Sequence, residues 1–208
     1  SSGVRIIEMA NAYSLFANGG KKVDPTFITR VEDPNGKVLY DSEQNDAETI
    51  LKPAQAYVMT HMLTGIFDPK LNGYASVTGS TIINDITRPY AGKSGSTETD
   101  SWMVGFAPQL VTAVWTGYDK GKTITLTAEK SYAKNIWVNF MEEALKGKAI
   151  KGFTPPKEGV TGVYVNPENG KLASKDCPVK RFTYFATGTE PTEYCTDHLK
   201  HTELKPEK

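Results

Sequence analysis

The chain has little net charge, little cysteine and no long apolar run. Its 208 residues carry 24 Lys and Arg against 24 Asp and Glu, so the formal net charge is zero. Without a long basic run, the sequence argues against a nucleic acid or an anionic membrane as partner. No stretch approaches the roughly 20 apolar residues that span a bilayer, so no membrane segment is predicted. The two cysteines say little about compartment by their number alone.

The first residues, Ser1-Ser2-Gly3-Val4, contain neither an initiator methionine nor the charged and apolar regions of a signal peptide. They lead directly into a helical pattern. We therefore expect the chain to be a fragment of a longer protein. Its length suffices to bury a substantial core, as one domain with a small appendage.

Three helices are predicted from the spacing of apolar residues. The first covers residues 6–17 and stops at Asn18-Gly19-Gly20, because glycine accepts the left-handed conformation that ends helices. The second begins at Pro53, since proline is favoured at the first helical position. The third covers residues 133–144.

Strand patterns alternate with these helices. Residues 26–31 and 37–40 flank the turn sequence Asp33-Pro34-Asn35-Gly36, which predicts a hairpin. Residues 101–106 and 110–118 predict a second hairpin. Helices interleaved with antiparallel hairpins indicate an α+β fold, an antiparallel sheet with packed helices.

The composition divides the chain into two parts. Residues 152–156 are rich in Gly and Pro, which marks a linker. We expect a main domain over residues 1–150 and a small β-rich module over 151–208, with short strands near 163–165 and 182–185. Residues 68–89 show no period and are predicted to form a long loop.

The segment RPYAGKSGST, residues 88–97, fits two chemistries at first sight. Gly92-Lys93-Ser94 matches the end of a phosphate-binding Walker A loop, which needs a glycine five positions before its Gly-Lys pair. That position is Thr87, and Pro89 after it donates no N–H to a phosphate. We therefore reject nucleotide binding.

The same residues are better interpreted as a strand that pairs with the following hairpin. Alternation then places Ser94 and Ser96 on one face and Gly95 on the other. Two hydroxyls beside Lys93 form a receptor for a carboxylate, since hydrogen bonds to charged groups contribute about 1.5–3 kcal/mol each. Gly95 predicts a close approach by another backbone.

Four segments together resemble the transpeptidase domain of bifunctional class A penicillin-binding proteins, in family order. Lys93-Ser94-Gly95-Ser96 corresponds to the Lys-Thr/Ser-Gly element of that family, and the resemblance covers roughly residues 3–145. The four segments are residues 9–20 (MANAYSLFANGG), 88–97 (RPYAGKSGST), 100–106 (DSWMVGF) and 110–117 (LVTAVWTG).

The resemblance implies peptidoglycan D,D-transpeptidation, in which a serine attacks a D-Ala-D-Ala stem peptide and the acyl group passes to an amine. Carried onto this sequence, Lys93 assists proton transfer, while Ser94 and Ser96 hold the terminal carboxylate of a stem peptide or a β-lactam. The backbone N–H of Ser96 becomes an oxyanion-hole donor, a role worth about 2.7–4 kcal/mol. Gly95 and Thr97 complete the substrate-binding strand.

The family also implies a cellular location and partners for the parent protein. It would work at the extracellular face of the bacterial cytoplasmic membrane, with a membrane anchor and a glycosyltransferase domain outside this chain. The implied partners are stem peptides, β-lactams and the missing upstream half of the domain. No cofactor is implied.

Two family motifs, Ser-x-x-Lys with the nucleophile and Ser-x-Asn, should precede the lysine strand. Neither occurs before Lys93. Ser131-Tyr132-Ala133-Lys134 follows it, in the wrong order, and Ser131 is a natural N-cap for the third helix. We therefore predict no nucleophile in this chain and no activity of the chain alone. The alternative is a non-catalytic wall-binding module of the same fold.

Cys177 and Cys195 allow three chemistries. A disulfide is favoured, because class A enzymes work where disulfides persist, and residues 188–195 resemble the tail of some Gram-positive members. Free thiols and a zinc site with His198 and His201 are the alternatives, although the spacing is not that of a recognised zinc finger. We therefore predict a disulfide and no metal.

Overall fold

The computed structural model describes residues 3–42, 47–118 and 120–198, and its α+β architecture is the predicted one. The three predicted helices are present. The helices are α1 (Ile6–Ala17), α2 (Pro53–Thr64) and α3 (Tyr132–Ala144). The strands are β1 (Lys21–Lys22), β2 (Arg30–Glu32), β3 (Val38–Asp41), β4 (Glu48–Thr49), β5 (Ala91–Ser96), β6 (Asp100–Ala107), β7 (Leu110–Gly117), β8 (Val160–Val165) and β9 (Arg181–Ala186).

All strand pairs are antiparallel. The central sheet has the order β5-β6-β7, and the other pairs are β1 with β4, β2 with β3 and β8 with β9. Ala107 pairs with Leu110, so the predicted second hairpin closes through the two residues between them. None of the helices within the described ranges has the length and apolarity needed to cross a bilayer.

The end of α1 follows the prediction from its glycines. Gly19 and Gly20 have φ values of 64° and 92°, in the left-handed region that favours glycine. A Cβ on Gly20 would collide with the carbonyl of Leu51. The N–H groups of Ile50 and Leu51 both donate to the Gly20 carbonyl. This close approach ties the end of α1 to the start of α2.

The first hairpin is shorter than predicted. Its turn forms as expected, with Asp33 Oδ1 accepting from the N–H of Asn35 at 2.8 Å and of Lys37 at 2.9 Å. Gly36 has a φ of 82°. The pairing begins only at Arg30, and Phe27 is 90% exposed. Beyond Arg30, the Thr29 carbonyl still accepts from the N–H of Ser42 at 2.8 Å, but within the described residues no strand pairing extends to residues 26–28.

Strand β6 is buried on both faces. Residues Met103 to Ala107 are buried in succession. Because successive side chains of a strand point to opposite faces, both faces must be covered. Helices α1 and α3 both pack on β6 and β7.

The main core forms around Trp137 of α3. Its ring lies 5.1 Å from that of Tyr90 and stacks on Phe67 at 5.7 Å. Its Nε1 donates to the carbonyl of Gly105 at 3.4 Å. A Cβ on Gly105 would lie 2.5 Å from Cζ2 of Trp137. Glycine is therefore required at this position of β6.

The start of β5 is held against α3. Glu142 accepts from both the N–H and the hydroxyl of Thr87, at 3.1 and 2.5 Å. Burial alone would raise the pKa of Glu142, but these hydrogen bonds outweigh it and the pKa is lowered. Arg88 is buried and donates to the Leu145 carbonyl at 2.8 Å.

The predicted loop over residues 68–89 is packed rather than open. It contains short 3₁₀ segments at Pro69–Leu71 and Ser80–Asp85. Ile82 is 1% exposed and belongs to the main core. The N–H of Gly79 donates to the carbonyl of Ile66 at 3.0 Å. Isolated apolar residues such as Ile82 hold this segment without a periodic pattern.

The C-terminal hairpin packs on α2. Strands β8 and β9 are longer than predicted. The ring of Tyr184 lies 5.1 Å from that of Tyr57 and 5.3 Å from that of His61. Arg181 forms an ion pair with Asp68. His61 therefore has a packing role.

Replacing Gly105 with alanine should destabilise the chain by about 1–3 kcal/mol, because the methyl group would overpack Trp137. Denaturant unfolding followed by circular dichroism measures this. Gly152→Ala is the control, since no atom lies within 4 Å of its added Cβ. Equal unfolding midpoints for the two variants would contradict the packing described.

Candidate active site

The last four residues of β5 are Lys93, Ser94, Gly95 and Ser96, which lie in a strand as predicted. Their partners on β6 run from Val104 back to Ser101 in unbroken antiparallel register. This segment is a regular strand and not a phosphate-binding loop. Strand β5 ends the β5-β6-β7 order, so within the described residues it is an edge strand.

The register decides which backbone groups face outward. In an antiparallel pair, alternate residues direct their N–H and C=O groups to the same neighbour. The N–H of Thr97 donates to the Asp100 carbonyl at 3.0 Å, toward β6. The N–H of Ser96 therefore points away from β6, at the outer edge. The carbonyl of Ser94 points the same way.

The amine of Lys93 lies at this outer edge. Its Nζ donates to the carbonyl of Ser94 at 2.6 Å, and the side chain is exposed. The cation and the outward N–H of Ser96 thus share one edge of the sheet. Sequence alternation could not show this, because the contact depends on the path of a long side chain.

The hydroxyl of Ser94 has a partner that the sequence did not suggest. It is half-buried and donates to Oγ1 of Thr78 at 2.7 Å. Lys134 Nζ donates to the Thr78 carbonyl at 3.1 Å, and burial lowers the pKa of Lys134. The packed loop before β5 therefore contacts the motif directly.

The Ser-x-x-Lys match at residues 131–134 does not form a catalytic pair here. Ser131 stands at the N-cap position of α3 but makes no side-chain cap hydrogen bond. Its hydroxyl donates instead to the Ala128 carbonyl at 2.7 Å. Ser131 thus occupies the predicted N-cap position, but its hydroxyl accepts no N–H of the helix, because the preceding 3₁₀ turn leaves its backbone helical rather than extended.

The expected backbone approach at Gly95 does not occur within the described residues. A Cβ there would meet only Cβ of Trp102 at 3.8 Å, an ordinary contact. The crowded glycine of the strand is Gly92, where a Cβ would lie 2.7 Å from the Val104 carbonyl. Gly92 thus permits the close pairing of β5 with β6.

A groove of about 870 Å³ lies beside the end of β5. Gly95, Ser96 and Thr97 line one side, and the start of α1 lines the other. Ile6 and Ile7 on that helix are each 45% exposed. Ser96 and Thr97, predicted to bind substrate, therefore face a cavity of ligand size.

Hydrogen bonds of the Thr97 and Asp100 side chains stabilise the turn between β5 and β6. Thr97 Oγ1 donates to Asp100 Oδ1 at 2.6 Å and accepts from the N–H groups of Thr99 and Asp100, both at 3.1 Å. Asp100 Oδ2 accepts from Trp115 Nε1 at 3.3 Å. This network fixes the strand end that carries Ser96.

The cysteines come together in the C-terminal module. Cys177 and Cys195 are both buried and are free thiols. Their sulfurs and a ring nitrogen of His198 all lie within 4.8 Å of one another. The disulfide stays a prediction. His201, the fourth residue of the zinc alternative, lies outside the described residues.

Comparison with known proteins gives matches over both parts of the chain. Residues 3–142 match the model of the penicillin binding protein transpeptidase domain, and residues 156–200 match that of the penicillin-binding protein 1A C-terminal domain. Penicillin-binding protein 2D of Bacillus subtilis is 57% identical over 192 residues, which cover 92% of this chain and 28% of that protein.

Two further penicillin-binding proteins are similar to the chain over most of its length. Penicillin-binding protein 1A of Aquifex aeolicus is 33% identical, over 92% of this chain and 25% of that protein. The crystal structure of penicillin-binding protein 1A from Haemophilus influenzae superimposes with a TM-score of 0.77 at 26% identity, over 92% of this chain and 33% of that one. The chain thus spans about a quarter of the length of these curated relatives.

Thr97→Val should loosen the turn that carries Ser96, since it removes three hydrogen bonds of about 0.5–1.5 kcal/mol each. Amide hydrogen exchange at residues 99 and 100 should become faster. Thr99→Val is the control, because the Thr99 hydroxyl makes one long contact of 3.3 Å. Unchanged exchange rates in both variants would show that the hydrogen bonds of Thr97 do not stabilise this turn.

Proposed function

Because the chain belongs to the class A penicillin-binding proteins, as part of their transpeptidase domain, we propose that its strand β5 binds stem peptides ending in D-Ala-D-Ala. β-Lactams would occupy the same strand as mimics. The family resemblance drawn from the four sequence segments is confirmed. D,D-transpeptidation is the activity of this family, and the roles of individual residues below are proposals.

The outer edge of β5 is the observation that carries this proposal. An extended peptide adds to an exposed sheet edge through main-chain hydrogen bonds. The outward N–H of Ser96 can donate to the carbonyl oxygen under attack, as one donor of an oxyanion hole. The Lys93 amine lies at the same edge and supplies positive charge.

The hydroxyls of Ser94 and Ser96 would hold the terminal carboxylate. Ser96 is exposed at the groove, and within the described part of the chain its hydroxyl has no hydrogen-bond partner to exchange. Ser94 must exchange its bond to Thr78 for one to the substrate. This exchange is favourable, because hydrogen bonds to charged groups contribute about 1.5–3 kcal/mol, against about 0.5–1.5 for neutral ones.

The nucleophile would come from residues outside this chain. No Ser-x-x-Lys or Ser-x-Asn motif precedes Lys93 in its 208 residues. Ile6 and Ile7 line the groove and Met62 of α2 is 64% exposed. Apolar surface of this kind fits contact with a further part of the domain. The glycosyltransferase, the membrane anchor and the placement at the outer face of the cytoplasmic membrane likewise belong to the proposed parent.

The chain alone should form no covalent adduct with a fluorescent penicillin, because it contains no serine in the nucleophile's position. Gel fluorescence after denaturation checks this. Penicillin-binding protein 2D of Bacillus subtilis serves as the positive control. Stoichiometric labelling of the chain would show that it has a nucleophile of its own.

A chimera should restore labelling. In it, this chain replaces the matching 192-residue region of Bacillus subtilis penicillin-binding protein 2D, to which it is 57% identical. Lys93→Met in the chimera should slow acylation by roughly 10²–10⁴-fold, the usual contribution of a proton-transfer group. Lys37→Met, in the distant first hairpin, should label at the unchanged rate.

A folded chimera that is not labelled would contradict the transpeptidase role and favour a wall-binding module. A labelled chimera in which Lys93→Met acylates normally would leave the family function intact and remove Lys93 from the mechanism. Circular dichroism of each variant establishes that it is folded.

A further inference from the structure

The C-terminal module has little apolar core of its own. Between Val160 and His198, the buried residues are Val165, Asn166 and the two cysteines. Small units with so little buried surface are commonly held by a disulfide or a metal ion. Cys177 and Cys195 are therefore placed where a cross-link would matter most.

The distances within this cluster match metal coordination. Cys195 Sγ lies 3.6 Å from Nδ1 of His198, and both lie within 4.8 Å of Cys177 Sγ. In a tetrahedral zinc site the sulfur bonds are about 2.3 Å and the nitrogen bonds about 2.0–2.1 Å, so a sulfur and a nitrogen ligand stand about 3.6 Å apart.

The groups around Cys195 favour a thiolate. The side-chain amides of Asn166 and Asn169 donate to its sulfur at 3.2 and 3.4 Å. Asn166 is 2% exposed. A neutral disulfide sulfur would gain less from these two donors than a metal-bound thiolate.

His198 is oriented from its far side. Its Nδ1 faces the Cys195 sulfur, while its Nε2 lies 3.7 Å from the Glu168 carboxylate. Metal-binding histidines usually direct their second ring nitrogen to a carboxylate, which fixes the ring and raises its basicity. At 3.7 Å the Glu168 carboxylate lies beyond hydrogen-bond distance of the ring, but on the side where such a supporting carboxylate would stand.

We propose that Cys177, Cys195 and His198 bind one zinc ion, which holds the C-terminal residues to the β8–β9 hairpin. Two thiolates and an imidazole suit zinc, and water or another ligand would complete the tetrahedron. Binding would release the protons of the two thiols to solvent. The proposal is independent of the transpeptidase function.

The test uses the full 208-residue chain, reduced and freed of metal, with zinc alone as the probe. Competition with a chromophoric chelator should give one zinc per chain, and both thiols should then resist alkylation. Cobalt in place of zinc should show thiolate charge-transfer absorption and the visible bands of a tetrahedral site. Absence of saturable binding would overturn the proposal.

Variants distinguish a built site from binding at exposed groups. Cys177→Ser, Cys195→Ser and His198→Ala should each abolish stoichiometric binding. Glu168→Gln should weaken the zinc affinity about 10–100-fold, as expected for loss of a supporting carboxylate. Glu158→Gln, an exposed carboxylate near the start of β8, is the matched control and should bind like the unaltered chain.

Two results would overturn the site. One is zinc affinity in folded Cys195→Ser equal to that of the unaltered chain. The other is a Cys177–Cys195 disulfide, identified by mass before and after reduction, in a chain that still binds no zinc once reduced. Circular dichroism compares the fold of each variant with that of the unaltered chain. A ligand variant that remains folded and loses the cobalt charge-transfer band supports the site.

Discussion

The antiparallel register between β5 and β6 sets which backbone groups of the candidate site face outward. A strand presents its backbone groups alternately to its neighbour and to the outside, so a slip of one residue would turn the N–H of Ser96 into the sheet. The Lys93 amine reaches the free edge because the Ser94 carbonyl, to which it donates, faces outward. The pairing of β5 with β6 therefore places the positive charge of Lys93 and the N–H donor of Ser96 at the same outer edge of β5.

Small residues and one large aromatic side chain maintain this register. Gly92 allows β5 to approach β6 closely, and Gly105 leaves the space that Trp137 fills. At the other end, Thr97 and Asp100 close the turn with mutual hydrogen bonds. The site is therefore supported from the core on one side and by a rigid turn on the other, which suits a strand that must hold donors in place.

Local patterns in the sequence predicted the helices, the hairpins and the strand that carries the Lys-Ser-Gly-Ser motif. Contacts between distant segments could not be predicted in this way. Thr78 meets Ser94 across 16 positions, within a loop that has no periodic pattern. Cys177 and His198 belong to separate segments, and only the folded module brings their ligand atoms together. The residue type of Gly95 predicts a close backbone approach there, whereas the crowding lies at Gly92.

Helix α2 packs against both the motif strand β5 and the C-terminal hairpin. Strands β5 and β9 both follow α2 in the chain, and the helix contacts each of them. Arg181 of β9 also pairs with Asp68, which begins the loop that leads to Thr78 and Ser94. Order in the C-terminal hairpin is therefore connected, through one ion pair and one helix, to the segment that supports the motif strand. Cys177 and Cys195 lie on either side of β9, so a zinc ion that binds both, as proposed, would also link the two ends of the segment that carries Arg181.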